Sequence, residues 1–211
     1  MKKIKLLNLY SGIGGNVALL DRNIYEITSI EINPGIAAVY KNRFPDDLVI
    51  IEDASQYLLN NYNEFDMIWS SPPCPTHSGV RKALVGFNRA AVFPDMILYQ
   101  IIIFLKHHFK GLWVVENVIP YYEPIITPGI IIDRHCYWSN FDITMICVKK
   151  TVNISNIKVN EFNHIDFTGF KGRKDTLIRN MVNDKIGLHI MNCAAGTIPF
   201  SYEKSLFDFA V

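Results

Sequence analysis

Ile4-Lys5-Leu6-Leu7-Asn8-Leu9-Tyr10-Ser11-Gly12-Ile13-Gly14-Gly15 opens the chain with an apolar run that ends in a glycine-rich turn. Residues 4–10 read as a strand, and the glycines let the backbone turn tightly and approach a ligand. A helix over Gly15–Arg22 is expected next, offering free N–H groups at its start. The same alternation repeats outward. Ile24–Ile32, Leu48–Ile51, Phe65–Ser70 and Leu112–Val118 read as short apolar strands, separated by helices at Gly35–Arg43, Ala54–Asn61 and Asp95–His108. Near-continuous apolar strands between helices predict a mostly parallel sheet covered on both faces. That is a doubly wound α/β fold, whose ligands sit at the carboxyl ends of the strands.

Gly129–Ile132 and Phe141–Val148 are expected to complete the sheet as a hairpin. Residues 1–150 then form the main domain and 151–211 a small C-terminal appendage. In the appendage Asp175–Cys193 reads as helical with a break near Asn183, and the last helix is expected to pack back on the main domain.

Composition sets the outer limits. The 211 residues suffice for one domain with a substantial core, and 49% hydrophobic with 19% charged residues describes an ordinary globular chain. A net charge of +1 neither demands nor forbids a nucleic-acid partner, although Lys149–Lys185 holds eight Lys or Arg against four Asp or Glu. Cys74, Cys136, Cys147 and Cys193 form no CxxC pair and no zinc spacing. No disulfide framework and no metal site are therefore expected, and a reduced compartment fits. No cleavage pattern follows Met1-Lys2-Lys3, and the most apolar segment, Met96 to Leu105, is shorter than a membrane span. These features point to a cytoplasmic protein with no membrane association.

Three strand ends carry candidate chemistry. Glu31 follows the glycines by about twenty residues, where an acid accepts hydrogen bonds from ribose hydroxyls. Asp53 ends the third strand, within reach of an adenine amino group. Both acids could instead simply cap the helices after them. Ser71-Pro72-Pro73-Cys74 ends the fourth strand, and two prolines hold the following sulfur in one direction. A lone cysteine is more often an inert buried residue. Val115-Glu116-Asn117-Val118 ends the fifth strand, beside Cys74 if the two strands are neighbours. A buried carboxyl there suits proton donation, and an ordinary strand-end acid is the alternative.

The order of glycine turn, strand-end Glu, strand-end Asp, Pro-Pro-Cys and Glu-Asn-Val resembles the cytosine carbon-5 DNA methyltransferase family, over roughly residues 4 to 148. The resemblance implies a Rossmann-like fold that uses S-adenosylmethionine (SAM) and acts on double-stranded DNA with one cytosine flipped out. It assigns Tyr10, Gly12, Gly14, Gly15, Glu31, Asp53 and Pro72 to the cofactor, and Cys74 and Glu116 to catalysis. Carbon 5 of cytosine is a poor nucleophile, and a thiolate added at carbon 6 makes it reactive. Between Pro75 and Phe93 the chain looks like the family's mobile catalytic loop, with Ser78, Arg81, Lys82 and Arg89 as phosphate contacts. A solvated loop with ordinary surface charge is the alternative.

Five departures stand out. Pro75 replaces the Gln that usually follows Pro-Pro-Cys, and Asn8 stands where an Asp often opens the first motif. The family's paired arginines appear as Arg134-His135-Cys136, so only Arg134 is retained; it is assigned to the cytosine carbonyl or to the thiol's surroundings. The closing motif has a faint echo in Met191-Asn192-Cys193-Ala194, which an ordinary helix would also explain. Only about fifty-five residues separate Arg134 from Ile190, leaving little room for a target-recognition region. Asn153–Arg179 is the candidate reader, with Lys171, Arg173, Lys174 and Arg179 near Phe167 and Phe170, and a flexible surface segment is its alternative. A target of roughly two to four bases, or weak specificity, is expected from so small a reader. The rival readings are the same reaction on tRNA and a non-catalytic DNA-binding relative. The residue usage fits a phage or mobile element protecting its own DNA.

Overall fold

The computed structural model describes residues 2–79, 90–147, 159–162 and 164–197. Seven strands form one sheet: β1 (Ile4–Leu9), β2 (Tyr25–Ile30), β3 (Leu48–Ile50), β4 (Met67–Ser70), β5 (Leu112–Val118), β6 (Ile130–Ile132) and β7 (His135–Ser139). Their order is β3-β2-β1-β4-β5-β7-β6. Strands β1 to β5 run parallel, and β7 is antiparallel to both β5 and β6. The chain therefore winds outward from β1 to β3 and restarts at β4 on the other side. The crevice at the carboxyl ends of β1 and β4 is the topological switch point, where such sheets bind ligands.

Alternation along each strand divides the core between two faces. Leu6, Met67, Trp69 and Val114 point to one side, and Leu7, Leu9, Ile68 and Val115 to the other. Helices α2 (Ala54–Asn61) and α3 (Ile97–His108) cover the second face through Leu58, Leu98, Ile102 and Leu105. The first face is closed by Tyr40 of α1 (Pro34–Arg43) and by Ile186, Ile190, Met191 and Ala194 of the C-terminal α5 (Asp184–Thr197). A short α4 (Lys174–Asn180) precedes α5, with the interruption around Met181–Asn183. The echo at Met191–Ala194 lies inside α5, with Met191 and Ala194 in the core.

Two sequence expectations fail. Residues 15–22 form successive turns rather than a helix. The Arg22 guanidinium takes the Val17 and Leu20 carbonyls at 2.8 and 2.7 Å, which a helix would have used itself, and also grips the buried Asp47 carboxylate. Helix α5 fills the space instead. The hairpin exists, but its second strand is His135–Ser139 and not Phe141–Val148. A two-residue turn at Asp133-Arg134, with Asp133 in the left-handed region (φ 54°), reverses the chain earlier than the apolar run at 141–148 suggested. Residues 141–147 have no regular structure. Among the described residues no helix is long and apolar enough to cross a membrane.

Candidate active site

The glycine-rich turn is held by Glu31. Its buried carboxylate accepts the Gly12 N–H at 3.1 Å and the Asn33 N–H at 2.9 Å, tying the end of β2 to the turn after β1. Burial pushes the Glu31 carboxyl up, and the amides of Asn33, Gly12 and Ile32 oppose it. Asn8 links the same region from below, donating to Ser29 Oγ and accepting from the Asn16 side chain at 2.9 Å. Tyr10 and Gly12 both have positive φ, 55° and 52°. A Cβ on Gly12 would meet nothing, so this glycine faces open space, whereas one on Gly15 would lie 2.2 Å from the Val182 carbonyl. Gly14 is likewise packed, against Tyr40.

Around that open space lie groups suited to a nucleoside. Ile32, two residues beyond β2, and Ile51, one beyond β3, are 65% and 56% exposed, which is unusual for isoleucine beside a buried sheet end. Tyr10 closes the side through a 2.6 Å hydrogen bond between its hydroxyl and Ser55 Oγ. Ser11 Oγ is buried with no partner among the described residues. Asp53 caps α2 by accepting the Gln56 N–H at 2.9 Å, so the capping role is real. Ile32 and Ile51 escaped the sequence reading because an apolar residue after a strand looks like more strand.

Thiol and acid meet across β4 and β5. These strands are hydrogen-bonded neighbours, with Ser70 opposite Val115, which brings the Pro-Pro-Cys and Glu-Asn-Val ends together. The Asn117 side chain, 1% exposed, donates to the Pro72 carbonyl at 2.9 Å and accepts the Val118 N–H at 3.0 Å. The Cys74 carbonyl accepts the His77 and Ser78 amides, and Trp69 Nε1 donates to Ser71 Oγ, so the turn carrying Cys74 is braced on both sides. Cys74 itself is half-buried. Burial pushes its thiol up, the Glu116 charge adds to that, and Arg134 acts in the opposite direction. Glu116 is 6% exposed, and His135 Nε2 lies 3.3 Å from its Oε1.

The remaining assigned residues scatter. The Arg134 guanidinium donates to the Arg179 carbonyl, fastening the β6–β7 turn to α4. Ser78 pairs with Pro120 in an isolated bridge beside the buried His77, whose Nδ1 lies 2.5 Å from the Tyr122 hydroxyl. Lys171 and Arg173 line a cleft of about 530 Å³ with Asn33, Gly35 and Phe170, at the start of α1. Arg173 is paired with Asp175 at 2.7 Å, and Lys174 Nζ sits 5.3 Å from the centre of the Phe167 ring. Arg81, Lys82 and Arg89 lie outside the described residues, as do residues 153–158 of the candidate reader. His135 was passed over in the sequence, where it read only as the residue between Arg134 and Cys136, the position of the missing arginine. Strand register puts it on the face of β7 that Glu116 shares.

The sequence profile of C-5 cytosine-specific DNA methylases matches residues 4–120, more than half of the chain. The chain belongs to the C-5 cytosine-specific DNA methylase family. A mouse (Mus musculus) tRNA (cytosine(38)-C(5))-methyltransferase is 34% identical over 79 residues, which cover 35% of this chain and 19% of that enzyme. The chain thus spans about a fifth of the length of the curated relative it matches. Among solved structures it is similar to a Spodoptera frugiperda DNMT2 mutant (28% identity, TM-score 0.37, 55% of this chain and 36% of that one). It is also similar to the Entamoeba histolytica methyltransferase EhMeth (18% identity, TM-score 0.38, 56% and 39%).

S-adenosylmethionine is the cofactor of the family to which the chain belongs. The crevice fits it: open space over Gly12, an orphaned Ser11 hydroxyl, two exposed isoleucines for a flat base, and strand-end carboxylates for hydroxyl and amino donors.

Proposed function

We propose that the chain methylates carbon 5 of cytosine in DNA, with Cys74 as the nucleophile and Glu116 as the acid. The observation that carries this reading is the Asn117 bridge to Pro72, which locks the turn bearing Cys74 to the strand bearing Glu116. When bound, SAM supplies an electrophilic methyl group. The protein does the rest. The target carbon is hidden inside a duplex, so the base is flipped into the crevice between the two strand ends. The Cys74 thiolate bonds to carbon 6, and the displaced electron pair is received at ring nitrogen 3, where the Glu116 carboxyl gives its proton. Carbon 5 then takes the methyl group. Loss of the carbon-5 proton expels the thiolate and restores the ring.

Electrostatics joins the two groups. Burial pushes the Cys74 thiol up and the Glu116 charge adds to it, so loss of that charge when the carboxyl is protonated favours the thiolate. The proposed chemistry needs the thiolate together with a protonated carboxyl. Arg134, whose charge favours the thiolate, is the residue on the hairpin that offsets burial.

Lys171, Arg173 and Lys174 are proposed as backbone contacts, with the cleft at Phe170 as the place where a short target is read. Ser78, Arg81, Lys82 and Arg89 are proposed to hold the phosphates around the flipped base. A reduced, cytoplasmic setting keeps Cys74 a thiol.

A second reading, methylation of tRNA, is favoured by the similarity to the mouse enzyme. Purified protein with methyl-labelled SAM and either duplex DNA or tRNA separates the two. The expected product is 5-methylcytosine in the DNA digest. Label only in tRNA would move the reading to RNA, and label in neither would overturn it.

A further inference from the structure

Resting on the proposed chemistry, one buried residue has no role in it so far. His135 and Glu116 face each other with side chains only 10% and 8% exposed, and His135 Nε2 stands 3.3 Å from Glu116 Oε1. The antiparallel pairing of β5 and β7 makes this contact rigid: Val118 lies opposite His135 and Glu116 opposite Tyr137. An imidazole and a carboxyl buried together can share one proton in a way that a carboxyl alone cannot.

We infer that His135 is a positioning residue for Glu116: its Nε2 fixes one carboxyl oxygen, leaves the other for the pyrimidine, and shares with it the proton that nitrogen 3 takes up. The proton begins on the pair, on Oε or on Nε2. As the Cys74 sulfur forms its bond to carbon 6, the ring's electron pair moves to nitrogen 3, which receives that proton from the carboxyl. If it began on Nε2, the imidazolium returns to imidazole as the carboxylate is reprotonated. When water removes the carbon-5 proton and the carbon–sulfur bond breaks, the nitrogen-3 proton passes back to the pair and the thiolate is regenerated.

Several charges act on this pair. Glu116 of β5 and Asp133 of the turn favour the imidazolium, Arg134 of the same turn opposes it, and burial is the largest influence, pushing His135 down. Cys74, after β4, feels Glu116 and Arg134, and Cys136 and Tyr137 on β7 feel Glu116. A site that holds its proton on either of two groups binds it more tightly than one group would. Removing the imidazole therefore moves loss of that proton to lower pH.

The test uses the full chain in two arms. In the first, the His135 ring resonances are titrated by NMR in wild type and in Glu116→Gln. The His135 midpoint is expected to fall in the variant, because the carboxylate that favours the imidazolium is gone; an unchanged midpoint overturns the pairing. In the second, kcat is followed against pH for wild type, His135→Gln and His135→Arg, with SAM affinity checking that each variant folds. Both variants are expected to bind SAM as wild type does. Their alkaline loss of kcat should shift to lower pH, with a tenfold or greater drop at neutral pH. Profiles coinciding with wild type overturn the role. If wild type methylates neither DNA nor tRNA, the functional reading falls, and the NMR arm still decides the pair.

Discussion

The Asn117 side-chain amide and the Pro72 carbonyl, 45 positions apart in the chain, meet at 2.9 Å and bind the two halves of the reactive site into one piece. Asn117 is buried and satisfies a second group, the Val118 N–H, with its other end. Replacing it by Ala leaves the buried Pro72 carbonyl without this donor, at a cost of about 1–3 kcal/mol, and also removes the acceptor of the part-buried Val118 N–H. Asn117→Ala is expected to lower the thermal midpoint and to reduce kcat tenfold or more, while SAM affinity measured by calorimetry stays near wild type. Unchanged kcat would show that the Cys74 turn needs no such tie.

Glu116 raises the Cys74 thiol through its charge. A neutral amide in its place removes that influence, so Glu116→Gln is expected to bring the Cys74 ionisation to lower pH. Iodoacetamide alkylation of Cys74, followed by mass spectrometry across a pH series, measures this directly. The rate near neutral pH should rise in the variant even as methyl transfer collapses. Alkylation that is unchanged or slower would mean that the two groups do not sense each other.

Glu31 serves the cofactor turn by accepting two amide hydrogen bonds, from Gly12 and Asn33. In Glu31→Gln one amide loses a charged acceptor, a change worth about 1.5–3 kcal/mol. SAM affinity is expected to fall roughly tenfold to a hundredfold. Calorimetric titration at neutral pH checks it, and an affinity equal to wild type would remove Glu31 from the cofactor site.

Helix α5 reaches back onto the first motif at Gly187, where a Cβ would stand 2.3 Å from the Asn16 carbonyl oxygen. Both atoms belong to well-packed backbone, so Gly187→Ala forces the helix and the turn apart at a cost of about 1–3 kcal/mol. A thermal midpoint lower by several degrees, with weakened SAM binding, is expected. A variant as stable as wild type would show that α5 does not brace the turn.

That contact also marks where sequence reading stops. Glu31, Cys74 and Glu116 were legible because apolar parallel strands end abruptly at them, and such ends collect at one edge of the sheet. The boundaries of α2 and β5 were legible for the same reason of pattern. Where α5 lands was not, since an apolar stripe states that a helix is buried and not against what. The Gly15–Arg22 segment failed because its carbonyls are claimed by Arg22, a tertiary choice that local propensity does not encode. His135 was missed through register: with the second hairpin strand assigned to Phe141–Val148, nothing placed it beside Glu116.

The proposed mechanism requires a bond between Cys74 and the ring. A duplex carrying 5-fluorocytosine at a methylated position blocks the last step, since fluorine at carbon 5 does not leave as the proton does. Incubated with SAM and the wild-type chain, it is expected to yield a complex that survives denaturation, with the mass of protein plus DNA plus one methyl group and attachment mapped to Cys74. Cys74→Ala should form no such complex and transfer no methyl group. Methyl transfer at the wild-type rate by Cys74→Ala would contradict the mechanism.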